Sequence, residues 1–139
     1  MARIKINYPD KFNYETFLKL RVYDMNYGGH LGNDSVLSII HEARLRFLES
    51  LNLSEKDFYG VGLIMRDSAV IYKKQGFYAD LLTIKISVNE LSKYGFELTY
   101  VILDNMNEEL ARVKTGLVCY NYETKKISIL HSDFRLLFS

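Results

Sequence analysis

Only one stretch of this chain has the period of an amphipathic helix, and nearly everything else apolar in it alternates as strands do. After Asn33, Asp34 and Ser35, the residues Val36, Ile40, Ala43 and Phe47 recur at steps of four, three and four. Leu37, Leu48 and Leu51 widen that stripe, and Glu42, Arg44, Arg46 and Glu49 form the polar remainder. The short polar side chains in front supply capping chemistry, because an oxygen there accepts from the free amides of the first turn. The pattern predicts a helix over 34–51, roughly 27 Å long at the usual rise, with Asn52 at its end.

Strand signals surround it. Phe17, Leu18, Leu20 and Val22 predict a first strand running into Tyr23 and Asp24. The loop Asn26-Tyr-Gly-Gly-His-Leu-Gly32 follows, with three glycines in five residues, which implies special dihedrals or a close approach of backbone to something else. Residues 53–60 read as a loop. Val61 to Lys74 is apolar on both faces around Arg66-Asp67-Ser68. Leu82, Ile84, Ile86 and Val88 alternate with polar residues, as do Phe96, Leu98, Tyr100 and Ile102, and a long strand runs from Leu110 to Tyr122. Turn chemistry falls at 75–76, 93–95, 104–107 and 123–125. Ile127 to Phe138 is a short last element that reads equally as helix or strand. One apolar helix followed by an antiparallel meander buries its stripe best by lying across the sheet, so the expected fold class is α+β, a sheet wrapped around one long central helix. Such a sheet leaves open edges, and pairing two copies is a common remedy.

Composition narrows the function. A length of 139 residues fits one domain over 1–139. Eighteen basic residues face seventeen acidic ones, so no global field attracts nucleic acid or an anionic membrane, and neither is expected as a partner. The single cysteine, Cys119, excludes an intrachain disulfide and, within Gly-Leu-Val-Cys-Tyr, reads as a buried inert thiol. The first residues lack the apolar core of a signal peptide, and no apolar run approaches the roughly 20 residues that span a bilayer. A cytoplasmic protein is expected.

Two motifs carry a resemblance. Arg21-Val-Tyr-Asp24-Met-Asn26-Tyr-Gly28-Gly29-His30-Leu-Gly-Asn33, then His41-Glu42-Ala43-Arg44 at ungapped spacing, resembles the 4-hydroxybenzoyl-CoA thioesterase group of hot-dog proteins. Members of that group typically read Asp-x-Asp-x-x-Gly-His-Val-Asn-Asn, then a helix with Glu-Glu-Ala-Arg. Tyr72 and Ala79-Asp80-Leu81 resemble the group's Tyr and Gly-Asp-x-Leu. The resemblance covers about Phe17 to Tyr122. It implies a hot-dog fold and a homodimer, often paired into a tetramer, with active sites at the dimer interface. It also implies an acyl thioester in a tunnel between subunits, its carbonyl near the amides of Gly28, Gly29 and His30, with CoA along the outer surface. Glycines and free amides at a helix start suit a developing oxyanion.

One position departs from the pattern. Asn26 stands where loop-carboxylate members carry an aspartate that acts as nucleophile or base. Asparagine cannot accept a proton, so either another group does or the chain is not a hydrolase. Asn26 can still hold a water or the thioester by hydrogen bonds, or serve only as a turn residue. Glu42, on the helix, is the natural substitute, against a structural role beside Arg44. Asp24, at the strand end, reads as a structural acceptor, and the amide of His30 matters more than its ring. Three histidines and one cysteine do not make a zinc site. Arg66, Lys73, Lys74 and Lys93 are candidates for the CoA phosphates, with solvated strand edges as the alternative; Asp67 reaches a partner's site or satisfies Arg66. The expected activity is hydrolysis of an acyl-CoA or acyl-carrier-protein thioester, with no cofactor beyond the CoA of the substrate. A non-hydrolytic hot-dog module that binds acyl-CoA or another small ligand is the rival, and a hot-dog dehydratase or hydratase is a third class.

Overall fold

In the computed structural model, which describes residues 3–139, the chain runs as strand β1 (Tyr14–Lys19), helix α1 (Asn33–Ser50), strands β2 (Gly62–Tyr72), β3 (Leu81–Asn89), β4 (Gly95–Leu103), β5 (Glu109–Asn121) and β6 (Lys126–Ile127), and helix α2 (Ser132–Phe138). The strands form one antiparallel sheet in the order β1-β3-β4-β5-β2, with β6 paired to β5. Ile84, Ile86, Leu98, Tyr100, Ile102, Val113 and Leu117 point to one face and are fully buried there with the α1 residues Val36, Ile40, Ala43 and Phe47. The sheet is thus wrapped around a central helix, as the two periods require. The undecided last segment divides into two-residue β6 and α2, whose Phe134 packs on Phe58 and Phe96 and closes one end of the core. No helix among the described residues is long and apolar enough to cross a membrane.

Four local expectations are corrected. The first strand stops at Lys19, and Val22 is exposed within a 3-10 turn over Val22–Asp24. The buried Asp24 carboxylate causes this: it accepts from the Arg21 amide at 2.8 Å and from the Arg21 guanidinium, winding the chain where it would otherwise extend. At the start of α1, neither Asn33, Asp34 nor Ser35 caps; Gly32 is the N-cap residue, and no side chain bonds the first turn. Leu37 lies outside the buried stripe at 41% exposure. Arg44, assigned above to the polar remainder, is instead buried at 3% exposure. Periodicity locates the centre of a stripe, but its width depends on what the sheet places beside it.

Two sites give direct tests of this packing. Ala79 holds φ +70° in the turn before β3, a conformation that an L side chain adopts at a cost of about 1–2 kcal/mol. The turn is held there by the bond from the Ala79 amide to Leu20 O at 3.1 Å. Ala79→Gly is expected to stabilise the fold by about 0.5–1 kcal/mol after the greater flexibility of the unfolded glycine is offset, read as a raised urea midpoint. Cys119 is fully buried on the inward face of β5, and burial pushes its thiol up to about 11. The native protein is therefore expected to leave Ellman's reagent unreacted at pH 8, with one thiol appearing on addition of denaturant.

Candidate active site

The loop between the 3-10 turn and α1 is built around the carboxamide of Asn26. Its Oδ1 accepts from the amides of Gly28 at 2.9 Å and His30 at 3.2 Å, while its backbone carbonyl accepts from Gly29 at 3.1 Å. Gly29 permits this closure because φ there is +83°. The loop is then pinned on both sides: Gly32 N donates to Asp24 O at 3.0 Å, and Leu31 N to Gly76 O at 2.7 Å. Gly76 lets the end of β2 come close, since a Cβ there would meet Leu20, Leu31 and Leu110 at 3.0–3.2 Å. Tyr72 adds a bond from its hydroxyl to Asn33 O at 3.3 Å. With one oxygen held by two amides, the Asn26 amino group is the part of the carboxamide left to face outward. It is a donor and not a proton acceptor.

A cavity of about 310 Å³ lies against this loop, lined by Asn26, His30, Asn33, Val36, Tyr72, Lys73, Lys74 and Leu110 among others. The structure thus brings together Asn26, His30, Lys73 and Lys74, with Gly29 in the same loop. No carboxylate is among the residues that line this cavity. The amides of Gly29 and His30 already have acceptors within the loop, whereas those of Asn33 and Asp34, in the first turn of α1, have none among the described residues. These two are the free donors at the positive end of the helix.

Glu42 lies elsewhere. It is eight residues beyond Asp34, about 12 Å along the axis, and turned to the β1 flank of α1. There it accepts from Arg46 Nε at 2.8 Å and lines a second cavity, of about 370 Å³, with Arg21, Lys19 and Phe17. Arg46 ties that flank down by donating to Thr16 Oγ1 and Phe17 O. One protomer therefore does not combine Glu42 with Asn26. Asp24 is the structural acceptor described above.

The cations divide in the same way. Lys73 pairs with Glu109 at 3.2 Å and Lys74 with Asp104 at 2.7 Å, so both stand at the first cavity already partnered. The hydrogen bond from Lys74 holds the Asp104 carboxyl below its ordinary range. Burial pushes Glu109 up, but Arg112 and Lys73 together outweigh it and hold that carboxyl low. Arg66 sits at a bulge in β2, 3.6 Å from Asp67 and 3.7 Å from Glu97, and Lys93 lies over the ring of Tyr94 before β4. Neither lines the first cavity. No cluster of three or more His, Cys, Asp or Glu side chains suited to a metal occurs among the described residues.

Sequence reasoning passed over a buried polar chain further along α1. Arg44 Nη1 donates to Tyr100 Oη at 3.1 Å, Tyr100 Oη lies 2.8 Å from Thr115 Oγ1, and Arg44 Nε donates to Glu55 Oε2 at 3.1 Å. His41 Nε2 is 2.7 Å from the other Glu55 oxygen. Burial pushes the Tyr100 phenol up, so it stays protonated. The available signal was Thr115, a polar residue at an inward position of an apolar strand.

Known proteins share this architecture. The crystal structure of a 1,4-dihydroxy-2-naphthoyl-CoA thioesterase from Synechocystis superposes with a TM-score of 0.80 at 21% identity, over 88% of this chain and 92% of that one. The DHNA-CoA thioesterase from Staphylococcus aureus gives 0.78 at 24% identity, over 88% and 84%. Likeness at this level shows the hot-dog fold. In sequence, the long-chain acyl-CoA thioesterase FadM of Escherichia coli (strain K12) is 24% identical over 123 residues, covering 87% of this chain and 93% of FadM. Residues 20–136 match the family model of the thioesterase-like superfamily, which spans the Asn26 loop, α1 and the whole of β2 to β5. On that match, the chain belongs to the thioesterase-like superfamily of hot-dog proteins.

Proposed function

We propose that this protein is an acyl-CoA thioesterase that works in the cytoplasm as a homodimer, with its thioester held at the Asn26 loop. The observation that carries the reading is the Asn26 carboxamide, fixed by two loop amides beside the free amides at the start of α1. A thioester carbonyl placed there meets the Asn26 amino group and the first-turn amides of Asn33 and Asp34. All three are donors that favour a developing oxyanion. Gly29 and His30 serve this site through Asn26, because the loop they form sets its carboxamide. Lys73 and Lys74 stand at the mouth, where CoA phosphates can exchange with their carboxylate partners. Arg66 and Lys93 remain further candidates for the same phosphates.

Glu42 is the group we assign to activate water or to attack the thioester. Since Asn26 stands in the loop before α1 and Glu42 more than two turns into that helix on its β1 flank, a site using both draws Glu42 from a second copy. The outer edge of β2 supplies a place for that copy: eleven residues whose partner on one side is β5 and whose other side carries no strand among the described residues. Edges of this length are ordinarily covered. A dimer or larger species is expected by light scattering at micromolar concentration, and a monomer there overturns the shared site.

The chemistry has its own test. Glu42→Gln is expected to slow thiol release from acyl-CoA by roughly 100-fold, the scale of lost general acid–base catalysis, with the fold intact. A heterodimer of one Asn26→Ala and one Glu42→Gln subunit, isolated by two affinity tags, has one intact composite site and is expected to regain about half the wild-type rate. A heterodimer as slow as its parents removes Glu42 from the site. Asn26→Asp returns a proton acceptor to the loop and is expected to raise turnover or to rescue Glu42→Gln.

A second reading is favoured by one observation. The first cavity has no carboxylate in its lining, and the Asn26 oxygen is consumed by the loop. A non-hydrolytic acyl-CoA binder needs nothing more. Binding of acyl-CoA by calorimetry, with no thiol released from any acyl-CoA or acyl-carrier-protein substrate, establishes that alternative.

A further inference from the structure

The β2 flank of α1 carries the polar chain of Arg44, and that chain sits in an unusual place. Leu37 and His41 are exposed on this flank at 41% and 50%, and Met65 and Ser68 are exposed on the facing side of β2. Between them, Thr115 pairs in register with Ser68, and the Thr115 hydroxyl meets Tyr100. The groove between these two elements therefore has mixed sides, apolar at Leu37 and Met65 and polar at His41 and Ser68, over a polar floor. Arg44 is the charged member of that floor, with its side chain 3% exposed.

Two of its nitrogens are accounted for, Nε by Glu55 and Nη1 by Tyr100. Nη2 has no acceptor among the described residues, yet no sealed-in side-chain nitrogen or oxygen there lacks a partner. Nη2 is consequently the point at which this guanidinium remains open. A buried cation with a free donor is costly to cover with hydrocarbon, since an alkyl chain removes water and supplies no acceptor. An oxygen atom of a ligand replaces the water at little cost.

The geometry points to Arg44 as the residue that selects the acyl group: the groove takes a medium-length acyl thioester whose far end carries an oxygen function, and Arg44 Nη2 donates to that oxygen. This rests on the thioesterase reading of the Asn26 loop. Length follows from the helix. From Asn33 to Arg44 is eleven residues, about 16 Å along the axis, and helical side chains lean back by about one turn, which leaves about 11 Å between the two ends of the acyl group. Plain long alkyl chains are poor occupants.

The test uses matched CoA thioesters of six, eight and ten carbons, each as the plain alkyl, ω-hydroxy and ω-carboxy form. Wild type is expected to favour an oxygenated member over its alkyl counterpart by roughly tenfold or more in kcat/KM at one of these lengths. In Arg44→Met, which keeps the stem and removes the donors, that preference is expected to vanish while the alkyl substrate improves. Should this variant fail to fold, Arg44→Lys keeps the charge but not the fork, and the preference is expected to shrink. Equal rates for alkyl and oxygenated members in wild type, or an unchanged preference in the folded variant, overturn the assignment. If no thioester releases thiol, the hydrolase reading fails, and the same pairs are compared as Kd values by calorimetry. An affinity ratio near one then overturns the role of Arg44 independently.

Discussion

Burial of the α1 stripe against the sheet is the constraint from which the rest follows. An isolated helix of this length is marginal in water, so α1 is held by what it packs on. Val36, Ile39, Ile40, Phe47 and Leu48 are each 2% exposed or less. At about 1.5–3 kcal/mol for each large side chain buried, an upper estimate, the contribution rivals the whole net stability of a domain. The helix can therefore neither rotate nor slide without losing most of what holds it. Its flanks are as fixed as its core face.

Those fixed flanks divide the chemistry. On a 3.6-residue wheel, Glu42 and Arg46 fall toward β1, whereas Leu37, His41 and Arg44 fall toward β2. The bonds agree: Arg46 reaches Thr16 and Phe17 in β1, and Arg44 reaches Tyr100 and Glu55. Two residues of separation thus decide which groove a charge serves. The first turn belongs to neither flank, and its free amides open toward the Asn26 loop. A ligand that enters at the loop and extends along the helix meets the β2 flank with its polar floor, while the carboxylate of Glu42 lies round the helix.

Much of the fold was legible because its signals are local. Leu82, Ile84, Ile86 and Val88 alternate, and all four are buried on one face. The helix centre followed from Val36, Ile40, Ala43 and Phe47 in the same way. What escaped reading depended on side-chain contacts that no apolar period marks. Arg44 looked solvated because its partner Tyr100 is 56 residues away, and nothing in the helix pattern marks that contact. Val22 continued the apolar pattern of a strand, but a carboxylate two residues later, Asp24, binds the Arg21 amide and winds the chain into a turn. The Asn26 loop was legible by resemblance, since its glycines and spacing survive, and Ala79 stands where similar sequences place a glycine with its φ still positive. The position of Glu42 relative to that loop was not legible, because periodicity gives a face and the sheet decides which neighbour the face meets.

The loop itself explains why so close a resemblance leaves the chemistry open. Two amides, from Gly28 and His30, converge on one side-chain oxygen at position 26. An aspartate and an asparagine offer that oxygen equally well, so the loop folds identically around either. They differ only at the second atom, which is a carboxylate oxygen in one and an amino group in the other. The first accepts a proton or attacks a carbonyl; the second donates to a carbonyl and can do neither. The structural demand on position 26 is thus satisfied by half of the side chain, and the catalytic demand falls on the other half. A hot-dog scaffold can exchange one residue for the other with no change in shape, provided that a carboxylate reaches the thioester from elsewhere. In this chain the side-chain oxygen of Asn26 is taken by the loop, and Glu42, the carboxylate of the helix motif, lies on the far flank of α1.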